Sequence, residues 1–169
     1  MDSEQLRSLQ APLKERYREQ PETARVTLRA EGRIGEGITC RVDTGKALVA
    51  AGLHPATGGD GLSACSGDML LEALVACAGV TLGAVATAIG VQIREGLVRA
   101  EAELDVRGTL GVAKEVPVGL RSVRLHFDLH TDAPAEQIAS LIRLTERYCV
   151  VYQTLRNPPA FEVTHAARP

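Results

Sequence analysis

The apolar residues of this chain follow two spacings, and the switches between them mark its elements. Residues 3–19 carry Leu6, Leu9, Leu13 and Tyr17 at helical spacing among many charges, and Pro21 closes that stretch. Val26, Leu28 and Ala30 then alternate with Thr27, Arg29 and Glu31, as in a strand with one buried face. Gly32, Gly35 and Gly37 supply turn residues, and Ile38, Cys40 and Val42 repeat the alternation, so a hairpin is predicted. Residues 46–53 form a third short apolar element. Residues 54–68, rich in Gly, Ser, Ala and Asp, read as an ordered functional loop, with Ser66 or Asp68 placed to cap a helix. That helix covers 69–89 and stops at Gly90. Val98, Ala100, Ala102, Leu104 and Val106 alternate next, and then Val123, Leu125, Phe127 and Leu129 do the same. A helix opened by residues 131–134 puts Ile138, Leu141, Ile142 and Thr145 on one face, and a further turn or two follows Cys149. Residues 160–164 are predicted as a last strand. This order defines an α+β fold with antiparallel sheets.

Ala73 to Val91 runs 19 residues without a charge, close to the length of a bilayer span. Six Ala, three Gly, two Thr and one Cys leave only seven large aliphatic residues in it, and no basic cluster flanks it. It is therefore expected to be a buried helix of a soluble protein. A helix that is apolar all round must be covered on every side, and one sheet covers one side only. A second subunit is expected to cover the rest, giving an obligate homodimer.

With 169 residues there is room for one domain and its core, and residues 1–21 read as a helical extension of a domain over 22–169. Aromatics make up 3% and Trp is absent, so Leu, Val, Ile and Ala must fill the core. A net charge of -2 and few scattered aromatics speak against nucleic-acid or anionic-membrane partners. The N-terminus lacks the apolar stretch of a secretory signal, so a cytoplasmic protein is expected. Four cysteines in that compartment are reactive, metal-binding or buried rather than structural disulfides.

Two of those cysteines have informative neighbours. Cys77 sits about two turns inside the apolar helix, and Cys149 sits near the start of the last one, 72 residues later. Spacing alone fits a pair of core thiols equally well. The local motifs go further. A Gly58-Gly59-Asp60-Gly61 loop precedes a helix whose Gly67–Ala78 stretch ends in Leu74-x-x-Cys77-Ala78, and Cys149-Val150-Val151-Tyr152-Gln153-Thr154-Leu155 follows later. Together these resemble the OsmC/Ohr family from about Val26 to the end, which would make 22–169 an OsmC-like domain. The resemblance implies an intertwined homodimer, with antiparallel sheets wrapped around two long central helices and sites at the subunit interface. It implies peroxidase activity on organic hydroperoxides, with Cys77 as the peroxidatic thiol and Cys149 as the resolving one. It further implies a supporting Arg and acid, and an external dithiol reductant, often a lipoylated protein, with no bound cofactor.

Arg33 best fits the arginine, with Arg25 and Arg29 as alternatives. Asp68 stands where the family carries Glu, and Glu72 is the other acid. Valine replaces the proline that often follows the second cysteine. Cys65 is either a further redox thiol or a passive loop residue, and Cys40 alternates with core positions. A zinc site from His54, Cys65, Cys77 and Cys149 lacks any local ligand spacing. His126, His130 and His165 suggest no site. Neither Gly-x-Gly-x-x-Gly nor Gly-x-Ser-x-Gly occurs in a supporting context. A non-catalytic dimer binding a small apolar ligand is the competing class.

Overall fold

The computed structural model describes residues 3–34, 40–42, 51–62 and 64–167. In chain order the helices are α1 (Ser3–Glu19), α2 (Ser66–Ile89), α3 (Val106–Thr109), α4 (Ala135–Tyr148) and α5 (Val150–Arg156). The strands are β1 (Arg25–Ile34), β2 (Cys40–Val42), β3 (Ala51–Gly52), β4 (Ala64–Cys65), β5 (Glu95–Asp105) and β6 (Leu120–His130). The long strands form one antiparallel sheet in the order β2-β1-β5-β6, while β3 and β4 make a separate parallel pair. The α+β class read from the alternation is the one found, and the hairpin of β1 and β2 is present. Of the 46–53 element only its last residues lie among those described, and they include β3.

The register explains the core. Val98, Ala100 and Ala102 of β5 stand opposite Phe127, Leu125 and Val123 of β6, so one face of the sheet is continuously apolar. Leu71, Leu74, Val75 and Ala78 of α2 are buried against that face. Their spacing is that of one helical stripe. The alanines at 100 and 102 let the helix lie close to the sheet. Further along α2, Leu82 and Ala86 pack with Leu141 of α4 and Val91. The helix starts three residues earlier than expected, and Cys65 rather than Ser66 or Asp68 occupies its N-cap. It stops where glycine allows, at Gly90 with φ 72°. Met69, Leu70 and Val80 remain exposed away from that stripe, and Ile89 is exposed at the end of the helix. By length and composition α2 could cross a membrane, but it forms the centre of this core.

Two expectations are corrected. Residues 160–164 form no strand, and Phe161 and Val163 are exposed. A strand needs a neighbour for its backbone hydrogen bonds, and none of the described strands pairs with that segment. The β5 pattern also stops one residue before Val106. The Asp105 side chain accepts from the N–H of Arg107 and caps α3 there.

α1 packs through Leu13 and Tyr17. Tyr17 is 1% exposed, and its hydroxyl donates to the Ala56 carbonyl oxygen at 2.7 Å, while Leu9 stays open. Gln10 reaches the Thr57 carbonyl at 3.1 Å. α1 is thereby tied to the loop that leads into α2. The loop's glycines are required by geometry. Gly58 has φ +96°, and a Cβ on Gly59 would lie 1.7 Å from the Leu53 carbonyl oxygen.

Asp105 is fully buried, and the Arg107 guanidinium grips both its oxygens, at 3.0 and 2.6 Å. A bulge in β6 skips Arg121, which approaches the same carboxylate at 3.9 Å. The Arg107 hydrogen bonds hold the Asp105 carboxyl below its ordinary value, outweighing burial, with the charge of Arg121 adding to the effect. Asp105→Asn is expected to cost about 2–3 kcal/mol at neutral pH, measured by urea denaturation. Because the folded-state value is depressed, the wild-type advantage is complete above about pH 4 and shrinks as pH falls through that lower value.

Candidate active site

Cys77 is the twelfth residue of α2, about three turns in rather than two, and is half-buried at the margin between the covered and open faces. Cys149 lies where α4 ends and α5 begins. It is both the C-cap of α4 and the N-cap of α5, with φ -72° and ψ 107°. Its N–H donates to the Thr145 carbonyl at 2.9 Å, and its own carbonyl accepts from the Gln153 N–H at 2.9 Å. The break is thus held by hydrogen bonds on both sides, and it points the Cys149 side chain into the core, where it is 0% exposed. No proline is needed to start α5, since Val150 occupies its first position.

This arrangement brings the two thiols together. Both are free, and they pack in one cluster, where each bears on the acidity of the other. Their environments then separate them. Burial raises the Cys77 thiol, but the Val151 N–H, the Cys149 thiol, the Val150 N–H and the Thr81 hydroxyl all hydrogen-bond its sulfur, and the net effect is a lowered value. Burial pushes the Cys149 thiol up to about 11; the Tyr152 and Val151 N–H groups oppose this, while hydrogen bonding and charge from Cys77 reinforce it. Cys77 is therefore the more acidic thiol of the two, and Cys149 the less acidic.

The other sequence-derived residues lie elsewhere within one chain. Arg33 is exposed on β1, with its guanidinium 3.6 Å from Glu31. Arg25 is exposed at the start of β1. The side chain of Arg29 and that of Cys40 lie outside the described residues. Asp68 is in the first turn of α2, nine residues before Cys77, which is about 13 Å along the axis and on the opposite side of the helix. Burial raises its carboxyl, and the charge of nearby His54 partly offsets that. Glu72 is half-buried one turn further on. Cys65 is half-buried, paired with Gly52 between β3 and β4. The ring of His54 accepts from the Ala56 N–H at 3.0 Å. No group of three or more His, Cys, Asp or Glu side chains among the described residues is placed to hold a metal.

A groove of about 380 Å³ opens beside the same core. Leu74, one turn before Cys77, and Tyr152, one turn after Cys149, line it with Leu125, Phe127, Ile142 and Leu155. At its mouth Arg156 donates to the Tyr152 hydroxyl at 2.9 Å.

An antiparallel sheet wrapped on one apolar helix, with a free thiol on that helix and a second at a helix junction, defines the class. The OsmC-like protein family profile matches residues 58–164, more than half of the chain, and the protein belongs to the OsmC-like family. Among solved structures, an OsmC-like protein from Mycoplasma pneumoniae aligns with a TM-score of 0.55 at 19% identity, covering 79% of this chain and 86% of its own. An OsmC-like hydroperoxide resistance protein from Jannaschia sp. CCS1 aligns with a TM-score of 0.58 at 20% identity, covering 86% of this chain and 95% of its own. At these identities the likeness is one of fold. No curated protein matches the sequence.

Sequence reasoning missed the hydrogen-bond donors around Cys77. Their signal was a threonine four residues after it and a helix start directly after Cys149. The backbone donor at Val150 is open to a direct test. Proline is tolerated at a first helical position, and the extended backbone of Cys149 suits a residue preceding proline. Val150→Pro is thus expected to keep the fold while removing one N–H. The pH midpoint of Cys77 alkylation should rise by roughly half a unit, measured by iodoacetamide labelling of the Cys77 peptide.

Proposed function

We propose that this protein is a thiol-dependent peroxidase that reduces organic hydroperoxides, with Cys77 attacking and Cys149 resolving. The observation that carries the proposal is the contact between two free thiols whose acidities are driven in opposite directions. Only the thiolate is nucleophilic. The Cys77 thiolate attacks the distal oxygen of R–O–O–H, the O–O bond breaks, and the alkoxide leaves to take a proton from water. Sulfur is oxidised to sulfenic acid, and the peroxide is reduced to the alcohol. That step removes the negative charge beside Cys149, one of the causes keeping it protonated. Cys149 can then ionise and attack the Cys77 sulfur, forming an S–S bond and releasing water. An external dithiol restores both thiols by exchange, two of its own sulfurs becoming a disulfide. A lipoylated protein is the proposed reductant, and no bound cofactor is required.

The apolar groove beside Leu74 and Tyr152 supports a substrate with a hydrocarbon body. The same groove favours the second reading, a dimer that binds an apolar ligand without chemistry. We place the working unit as a cytoplasmic homodimer. The open apolar face of α2 at Met69, Leu70 and Val80 supports a second copy covering it, as does the exposed apolar pattern at 160–164. Such a copy is also the source from which Arg33 and Asp68 would reach the thiols, since within one chain they do not. Sedimentation should give twice the chain mass of 18.0 kDa; a monomer independent of concentration would remove the dimer.

With tert-butyl hydroperoxide and a dithiol, Cys77→Ser should lose all turnover. Cys149→Ser should consume about one equivalent and accumulate a sulfenic acid trapped by dimedone, seen by mass spectrometry. If peroxide oxidises Cys77 no faster in the folded protein than in the unfolded chain, the enzyme reading fails and ligand binding takes its place.

A further inference from the structure

Cys149 is 0% exposed, so an outside thiol reaches its sulfur only when part of the structure moves. The weakly anchored part is α5. It has seven residues, none of them buried, and it packs on the core only through half-buried Val151, Tyr152 and Leu155. A helix that short does not hold itself together in water. One side chain ties it to its neighbour. In an uninterrupted helix the Glu146 carbonyl would accept from the Val150 N–H. The extended backbone of Cys149, with ψ 107°, turns the chain away, and the Gln153 side-chain amide donates to the Glu146 carbonyl instead, at 2.7 Å. The same residue gives its backbone N–H to the Cys149 carbonyl at 2.9 Å. Its side-chain oxygen accepts from the Asn157 amide at 3.1 Å. Gln153 therefore grips the chain on both sides of the break at Cys149.

We propose that Gln153 is a positioning residue of the thiol site: its side-chain amide latches α5 to α4 over Cys149, and release of that latch admits an external dithiol to the Cys149 sulfur. This role rests on the peroxidase reading for its place in turnover, but the latch acts on the thiol with or without peroxide. In the Cys77–Cys149 disulfide of that reading, the better leaving group is the more acidic thiol, which is Cys77. A reductant thiolate then attacks the Cys149 sulfur, the S–S bond breaks, and Cys77 leaves as thiolate. The reductant's second thiol, on ionising, attacks the mixed disulfide. It frees Cys149, which takes a proton, and the dithiol departs as a disulfide. The favoured target is thus the covered sulfur, and each reduction requires α5 to lift.

The test uses the full chain. Gln153→Met keeps length and helix propensity without the amide, and Gln153→Glu keeps the shape but can donate only when protonated. Cys77→Ser is combined with each for labelling, so that no disulfide closes on Cys149. With 4,4′-dithiodipyridine, labelling read on the Cys149 peptide should be faster by roughly 2- to 10-fold in Gln153→Met, with labelling of Cys65 unchanged. Gln153→Glu should match or exceed that increase at about pH 8 and return toward the parent rate as pH falls to about 4. With Cys77 intact, the disulfide formed by tert-butyl hydroperoxide should be reduced by dithiothreitol faster in Gln153→Met by a similar factor. Unchanged Cys149 labelling in folded Gln153→Met, an equal rise at Cys65, or an unchanged rate of disulfide reduction would overturn the proposal. If labelling responds as expected but peroxide forms no Cys77–Cys149 disulfide even in the wild type, the latch stands, while its role in reduction falls with the peroxidase reading.

Discussion

Where α4 gives way to α5, two sulfurs pack together in one core cluster, and their surroundings drive their acidities apart. Burial alone would keep both protonated, since a thiolate loses its hydration in an apolar core. The junction resolves the tie. A helix that has just started has backbone N–H groups with no carbonyl to bond, and Val150 and Val151 turn theirs toward Cys77. Cys149, at the cap itself, is too deep and too close to the other sulfur's charge to ionise. A continuous helix through residue 149 would spend those N–H groups on its own carbonyls and lose the asymmetry.

The fold serves this arrangement by giving Cys77 a rigid base. α2 lies on the sheet beside the α4–α5 pair, with Leu71, Leu74, Val75 and Ala78 locked against β5. A side chain carried in the middle of such a helix has few ways to move, whereas a loop cysteine would have many. The same centrality leaves α2 with an apolar face that one chain does not cover.

Much of this was legible in the sequence. The alternation of Val98, Ala100 and Ala102 against Val123, Leu125 and Phe127 was readable because a half-buried strand has a strict period, and the register pairs these residues directly. Gly90 was readable because few residues tolerate the backbone that ends a helix. Motifs pointed to Cys77 and Cys149, but only the chain fold could bring together residues so far apart. What surrounds them was harder to read. Arg33 turns to Glu31, two residues away on its own strand, because a near opposite charge is available there. Thr81 and the backbone donors carry no motif of their own. The strand expected at 160–164 has the right pattern and no partner among the described residues, and a pattern cannot report that.

Valine at position 150 has a consequence of its own. Proline there would stiffen the unfolded chain and help α5 begin, but it has no hydrogen on its nitrogen. Valine gives up that rigidity and retains the N–H, one of the groups that lower the Cys77 value. Position 150 thus sets an exchange between how firmly the helix starts and how acidic the neighbouring thiol becomes. Among relatives that differ at this one site, thiol acidity and helix rigidity should vary in opposition, and this chain stands on the acidic side of that exchange.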